Sequence, residues 1–422
     1  MHRIKLLLGT TLLILIVFAL TASAVHPQQD KIINPRPDFK RTLADKHEAD
    51  LYNFHKKLLS NALNAYFKDA IASGEILGAG VSITKGDSIL LADGFGKRAL
   101  DEDNFIDGKT VFRLGSLSKG FTGVLAANLK AEGIMDWNDR VVDYLPEFKF
   151  GTAENTQKVT ISNILSHTSG TPYHSFTNLV EAGLPMSTIA TRFNQVQPIS
   201  VPGEQYSYQN AMFALSQEVM LKATGEDIQH LLANRFFTPL GMSNVSTDHE
   251  TLLNSKNFAS PHRKRTNGWS KLTLTDRYDN AVAAGGINAS SEDMAKWMRF
   301  LLGHHPEVMP SEAINEVFKP FISFKNGNKY YQRWPGHLSS SYGYGWRIHT
   351  FKDQWKTVEE TMWHHGGSVN DFRNEIALFP ESDLGICVLI NSNSKLARTV
   401  IPDLHAIVKH VYEQAPSKVA SL

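Results

Sequence analysis

The sequence predicts an α+β protein in which both ends of the chain build one antiparallel sheet flanked by helices, with a mainly helical domain inserted between them. Three observations carry that prediction. Strand-type patterning appears in "GAGVSITKGDSILLADGFG" and returns in "YGYGWRI", "RNEIALF" and "GICVLIN" towards the other end. Between them the apolar residues recur mostly at helical spacing, broken by long loops. An apolar-faced helix adjoins the strands at each end, as the cover of a sheet requires.

The amino terminus, "MHRIKLLLGTTLLILIVFALTASA", sets Arg3 and Lys5 before an apolar run from Leu6 to Leu20 and closes on Ala22-Ser23-Ala24. That is the pattern of a signal peptide over residues 1–24. The run is shorter than the ~20 residues a membrane-spanning helix needs, so a secreted or periplasmic protein without a lasting membrane span is expected. Residues 25–47 are polar, hold three prolines and read as an exposed leader.

The fold is expected from residue 48, where Leu51, Phe54, Leu58, Leu59, Ala62, Leu63, Phe67 and Ile71 form one helix face. A hairpin turning at Lys85-Gly86-Asp87 follows. "ISNILSHTSGTP", "NAMFALSQEVMLKATG" and "IQHLLANRFFTPLGM" give the middle its helical reading, and a last helix becomes regular near Pro402. Residues 48–110 and 281–415 are thus expected to form a discontinuous α/β domain around a helical domain at 111–280.

Composition excludes some functions. The chain of 422 residues is 42% hydrophobic and 20% charged, within the range of globular proteins. Lys plus Arg (43) balance Asp plus Glu (42), which leaves no overall field to attract nucleic acid. The single cysteine, Cys387, sits in an apolar strand pattern, so no intrachain disulfide can form.

Chemistry concentrates in "VFRLGSLSKGFTGVLAANL". Residues three apart on a helix share a face, so Ser116 and Lys119 can touch, at a helix start whose dipole favours developing negative charge. A buried Lys119 would shift towards the neutral amine that accepts a proton. Two further polar groups stand in order along the chain: Tyr208-Gln209-Asn210 before a new helical period, and His364-His365-Gly366-Gly367 after an apolar "TMW".

In order and spacing these three motifs resemble those of class C type serine β-lactamases, DD-peptidases (penicillin-binding proteins) and related esterases, over residues 48 to 413. "ISNILSHTSGTP", "GGINASSEDMAKWMRFLL", "YGYGWRI" and "FPESDLGICVLINSN" extend the likeness. The resemblance implies the β-lactamase/transpeptidase-like fold and an acyl-enzyme on Ser116, with Lys119 and Tyr208 sharing the proton traffic. It implies that Asn210, His364, His365, Gly366 and Gly367 contact substrate, and that the Ser116 and Gly367 N–H groups form the oxyanion hole. No cofactor is implied. Partners would be peptides such as a peptidoglycan stem, or β-lactams, and the number of subunits stays open. Esterase activity, or a penicillin-binding module with little turnover, are the alternatives.

The family's third motif usually reads Lys-Thr-Gly, whereas this chain has His364-His365-Gly366. A histidine with pKa about 6.5 is about one-quarter protonated at pH 7, so a permanent cation is lost. Substrates bearing a carboxylate are therefore expected to bind more tightly as pH falls. His167 reads as a hydrogen-bonded loop residue, and no Gly-x-Ser-x-Gly occurs. The paired histidines lack metal-ligand spacing, so no metal is expected. The basic run His262-Arg263-Lys264-Arg265 reads as a solvated loop, and Trp363 is the one tryptophan that adjoins a motif.

Overall fold

The computed structural model describes residues 39–324, 327, 329–352 and 359–414. The expected signal peptide and the leader up to residue 38 lie outside the described residues. The chain divides into two compact units, Met1–Asn53 and Phe54–Leu422. Every described residue of the first is helical, within a helix α1 that runs Phe39–Ala72. It starts earlier than the apolar face at Leu51, because no proline or glycine follows Pro37 to stop the chain coiling. Among the described residues no helix is long and apolar enough to cross a membrane.

The second unit is built on a sheet of eight strands: β1 (Gly78–Lys85), β2 (Ser88–Gly96), β7 (Ile322–Ser323), β8 (His337–Tyr342), β9 (Arg347–Lys352), β10 (Glu359–Val369), β11 (Phe372–Phe379) and β12 (Leu384–Ile390). Their spatial order is β2-β1-β12-β11-β10-β9-β8-β7, and every pairing is antiparallel. The two ends of the chain meet where β1 pairs β12, with Val81 opposite Val388. The short pairs β3 (Val111–Arg113) with β6 (Asn288–Ser290), and β4 (His262–Arg265) with β5 (Gly268–Lys271), stand apart.

Between β3 and β4 the described chain is helices and loops. The longest helices after α1 are α2 (Ser118–Ala131), α3 (Asn210–Thr224), α4 (Ser291–Leu301) and α5 (Val400–Glu413). A capping box at Ser290 and Asp293 starts α4, which packs on β1, β2 and β12, while α5 covers β11 and β12. Phe121 of α2 stacks on Trp297 of α4 at 4.0 Å, and both rings are fully buried. Burying a ring of that size contributes roughly 2–3 kcal/mol, so this contact helps hold α2 against α4.

The basic run forms β4 rather than a free loop. Arg263 reaches Asp371 in the β10–β11 turn and Lys264 reaches the carbonyl of Gly74, so these cations tie surface elements together. Trp363 stacks on Phe318 at 3.6 Å beside the core instead of lining a groove.

Candidate active site

Arg113 and Leu114 lead into the site. Both their carbonyls accept from the buried Asn374 side chain of β11, at 2.8 and 3.1 Å, which clamps this end of β3 to the sheet. Gly115 then turns with φ +57°, and a Cβ there would lie 2.9 Å from the backbone nitrogen of Ser368. That close approach sets Ser116, in a 3₁₀ turn, at the mouth of α2 and against β10.

Tyr208 donates its hydroxyl to Ser116 Oγ at 2.8 Å, and Lys119 Nζ lies 3.3 Å from the same oxygen. Lys119 is fully buried and also meets Asn210 Oδ1 at 2.9 Å and the carbonyl of Ala284 at 2.7 Å. Ala284 belongs to a π-helical turn, Val282–Gly286, packed on α2. Both of those partners only accept. A neutral amine has two hydrogens, and with both so engaged its lone pair is left for the hydroxyl of Ser116. Burial, and then the charge of Arg347, push the Lys119 pKa well below its usual value.

Tyr208 behaves differently from a base. Burial raises its phenol to about 12, against the lowering effects of the bond to Ser116 and the charge of Arg347. It therefore stays protonated at neutral pH and serves as a donor. Asn210, the first residue of α3, donates from Nδ2 to Tyr278 at 2.9 Å, so its amide is oriented from both ends. His167 lies against the Tyr208 ring at 4.3 Å, with Nδ1 accepting from the Gln209 N–H. It holds the phenol in place, and its own backbone sits at φ +60°.

The third motif divides along its strand. Successive side chains of β10 alternate between faces. His365 and Gly367 face the site: the His365 ring is 6.4 Å from that of Tyr208, and a Cβ on Gly367 would come within 2.2 Å of the Leu114 carbonyl. His364 and Gly366 face the other way. His364 Nε2 is 2.8 Å from Glu375, and a Cβ on Gly366 would lie 2.9 Å from both Glu375 carboxyl oxygens. The expected contact of the His364 side chain with substrate is therefore corrected, because the pleat turns it away from Ser116.

His365 is neutral as well. Nδ1–H donates to the Gly366 carbonyl at 2.8 Å, leaving Nε2 to accept from Tyr342 at 3.0 Å, and burial holds its pKa well down.

The oxyanion donor also moves by one residue. Asn370 and Asp371, both at positive φ, make a two-residue turn closed by Val369 and Phe372. Such a closing pair is hydrogen-bonded, so Gly367 with Asn374 is bonded too and Ser368 with Arg373 is not. The N–H of Gly367 thus points into the sheet. That of Ser368 points to the edge of β10 beyond its last pairing with β9, where Gly115 and Ser116 lie.

Arg347 is the residue that sequence reasoning missed. It pairs with His364 across β9 and β10, and its guanidinium lies 5.1 Å over the Tyr331 ring. Its Nε and Nη1 have no hydrogen-bond partner among the described residues, while its charge acts on Lys119, Tyr208 and His365. A permanent cation thus stands on the neighbouring strand, opposite His364 rather than within the third motif. Its signal, a lone arginine in the apolar "YGYGWRI", was visible only as strand pattern. Tyr331 in turn lines a cavity of about 510 Å³ together with Ser200, Glu204, Tyr206, Phe324 and Lys329. Among the described residues no cluster of His, Cys, Asp or Glu could hold a metal ion.

An eight-stranded antiparallel sheet with a serine set against one of its strands, at the mouth of a helix, defines the β-lactamase/transpeptidase-like fold. The chain belongs to the Beta-lactamase family, whose model matches residues 63–408. Protein flp of Staphylococcus aureus (strain COL) is 24% identical over 81% of this chain, which spans 65% of that relative's length. The unguisins hydrolase ungD' of Aspergillus campestris is 26% identical over 71% of this chain and 55% of its own length. Two solved structures share the fold at a TM-score of 0.69 each. The octameric penicillin-binding protein homologue from Pyrococcus abyssi is 23% identical, with 82% of this chain and 77% of its own covered. EstCE1, a hydrolase with promiscuous acyltransferase activity, is 18% identical, with 85% and 99% covered. The family is one of serine hydrolases that takes in esterases and penicillin-binding protein homologues.

Proposed function

We propose that the protein is an exported serine hydrolase that forms an acyl-enzyme on Ser116 and acts on D-amino-acid peptides or β-lactams carrying a free carboxylate. One observation carries the reading: a fully buried Lys119, whose pKa burial pushes well down, meets two acceptors, Asn210 Oδ1 and the Ala284 carbonyl, while its nitrogen faces the Ser116 hydroxyl. As the Ser116 oxygen bonds to the substrate carbonyl carbon, its proton passes to Lys119. The Ser116 and Ser368 N–H groups receive the developing oxyanion. When the bond to the leaving group breaks, the Tyr208 hydroxyl protonates that group and is reprotonated from Lys119. Water then attacks the acyl carbon, losing its proton along the same route, and Ser116 is restored.

Arg347 supports the choice of substrate, being a cation whose guanidinium lies over Tyr331, a wall of the aromatic cavity. The same cavity walls of Tyr206, Phe324 and Tyr331 favour a second reading, hydrolysis of small apolar acyl esters. The test is to incubate the protein with a penicillin, a cephalosporin, a D-Ala-D-Ala peptide and a p-nitrophenyl ester, following product and intact mass. Turnover with a transient mass gain, both lost in Ser116→Ala, is the expected result. Either signal surviving in that variant removes Ser116 from the chemistry, and a lasting adduct without turnover replaces the hydrolase with a binding module.

A further inference from the structure

Behind β10, on the face turned away from Ser116, polar side chains from β8, β9, β10 and β11 form one continuous chain. His337 Nε2 lies 2.7 Å from Ser340 Oγ, and Ser340 Oγ 2.7 Å from His349 Nδ1. His349 Nε2 is 3.2 Å from His364 Nδ1, and His364 Nε2 is 2.8 Å from Glu375 Oε2. Ser340, His349, His364 and Glu375 are buried, whereas His337 is half-exposed. The acyl chemistry above uses none of them.

Each histidine in the chain presents one nitrogen to each neighbour, so the hydrogen bonds can run in either of two directions. With Glu375 ionised, His364 donates to the carboxylate, His349 to His364, Ser340 to His349 and His337 to Ser340. A proton taken up at His337 Nδ1 moves each of those hydrogens one partner along. The end state has Glu375 protonated, every bond reversed and every histidine neutral, with one proton gained overall.

We propose that this chain is a proton relay from the surface at His337 to Glu375, and that Glu375, by gaining or losing that proton, sets how strongly Arg347 attracts a substrate carboxylate. The second half rests on the substrate reading above.

The groups facing Glu375 fit the role. His364 meets it from β10, and Tyr330 donates to both carboxyl oxygens, at 2.8 and 2.9 Å. Arg373 lies 3.6 Å away on its own strand, Arg347 acts on it from β9, and Cys387 adjoins it from β12. Burial pushes the carboxyl up to about 7, opposed by Arg373, the Tyr330 hydroxyl and Arg347. Burial drives His364 and His349 the other way, well below their usual value, so they pass the proton without keeping it. Above neutrality the Glu375 anion offsets the field of Arg347. Below it, Arg347 acts unopposed.

Two measurements on the full chain test this. Infrared difference spectra between about pH 6 and about pH 8 should show a protonated-carboxyl band that Glu375→Gln lacks, and after a pH jump the band should relax more slowly in His337→Gln. The KM for a carboxylate-bearing substrate should rise about fivefold from pH 6 to 8, while that of a neutral ester stays flat. In Glu375→Gln the rise should vanish, with kcat moving far less than KM. No band in the wild type, or one that persists in Glu375→Gln, overturns the relay. A relaxation unchanged in His337→Gln overturns entry at that residue, and an unchanged KM profile in Glu375→Gln overturns its hold over Arg347. Absence of turnover on every substrate, with the band intact, would refute the acyl-enzyme reading and support the titration of Glu375 by itself.

Discussion

His364 and His365 are adjacent, chemically identical and both buried, yet the pleat of one strand gives them to different parts of the molecule. His365 closes the wall beside Tyr208, pinned by Tyr342 and the Gly366 carbonyl. His364 joins a polar chain that ends on a carboxyl. The lesson concerns what each face can tolerate. The site face is walled by backbone, namely the Leu114 carbonyl and the turn at Ser116, whereas the rear face is walled by the tips of Glu375 and Tyr330.

The strongest way to break that comparison is on the site face. Lys119→Met keeps an unbranched stem one atom shorter and removes the amine, so kcat should fall about a thousandfold if Lys119 is the base, with the folded state checked by circular dichroism. Activity within tenfold of wild type would return Lys119 to a structural role. The glycine pair sharpens the comparison with a smaller effect. Gly367→Ala would set a Cβ 2.2 Å from the Leu114 carbonyl, so the turn carrying Ser116 must shift, and kcat/KM should drop roughly a hundredfold. Gly366→Ala meets only side-chain ends, at 2.8 and 2.9 Å, and should keep kcat/KM within about tenfold. Equal losses in the two variants would mean that both faces are equally rigid.

How much of this could be read in advance depends on the range of the interaction. Ser116 and Lys119 were legible because three residues on a helix is a local distance. Tyr208 and Asn210, about ninety residues further on, carried no local signal and were reached through the resemblance of ordered motifs. The two-ended sheet followed from strand patterning at both termini, confirmed in the β1–β12 pairing. The fate of two consecutive histidines depends on strand register, which a doubled residue leaves undetermined. Arg347 and Glu375 act through the strand between them, and nothing in "YGYGWRI" or "RNEIALF" taken alone says that they address the same site.

A different expected effect lies on the rear face and is one of stability. In the unfolded chain the Glu375 carboxyl has its ordinary value of 4.5, and in the folded protein burial raises it to about 7. Folding therefore takes up a proton across that interval. The stability contributed by the protonated carboxyl is complete below about pH 4.5 and is lost as pH rises through about 7. A difference of about 2.5 units corresponds to roughly 3 kcal/mol. Glu375→Gln keeps an acceptor for Tyr330 and cannot ionise, so the difference in unfolding free energy between variant and wild type should move by that amount, in favour of the variant, from pH 4.5 to 8. Denaturant titrations at the two ends of the range measure it, because the other titrating groups are common to both proteins and cancel. A difference that stays constant with pH would mean that Glu375 holds one charge state throughout, and the rear face would then be a fixed wall like the front.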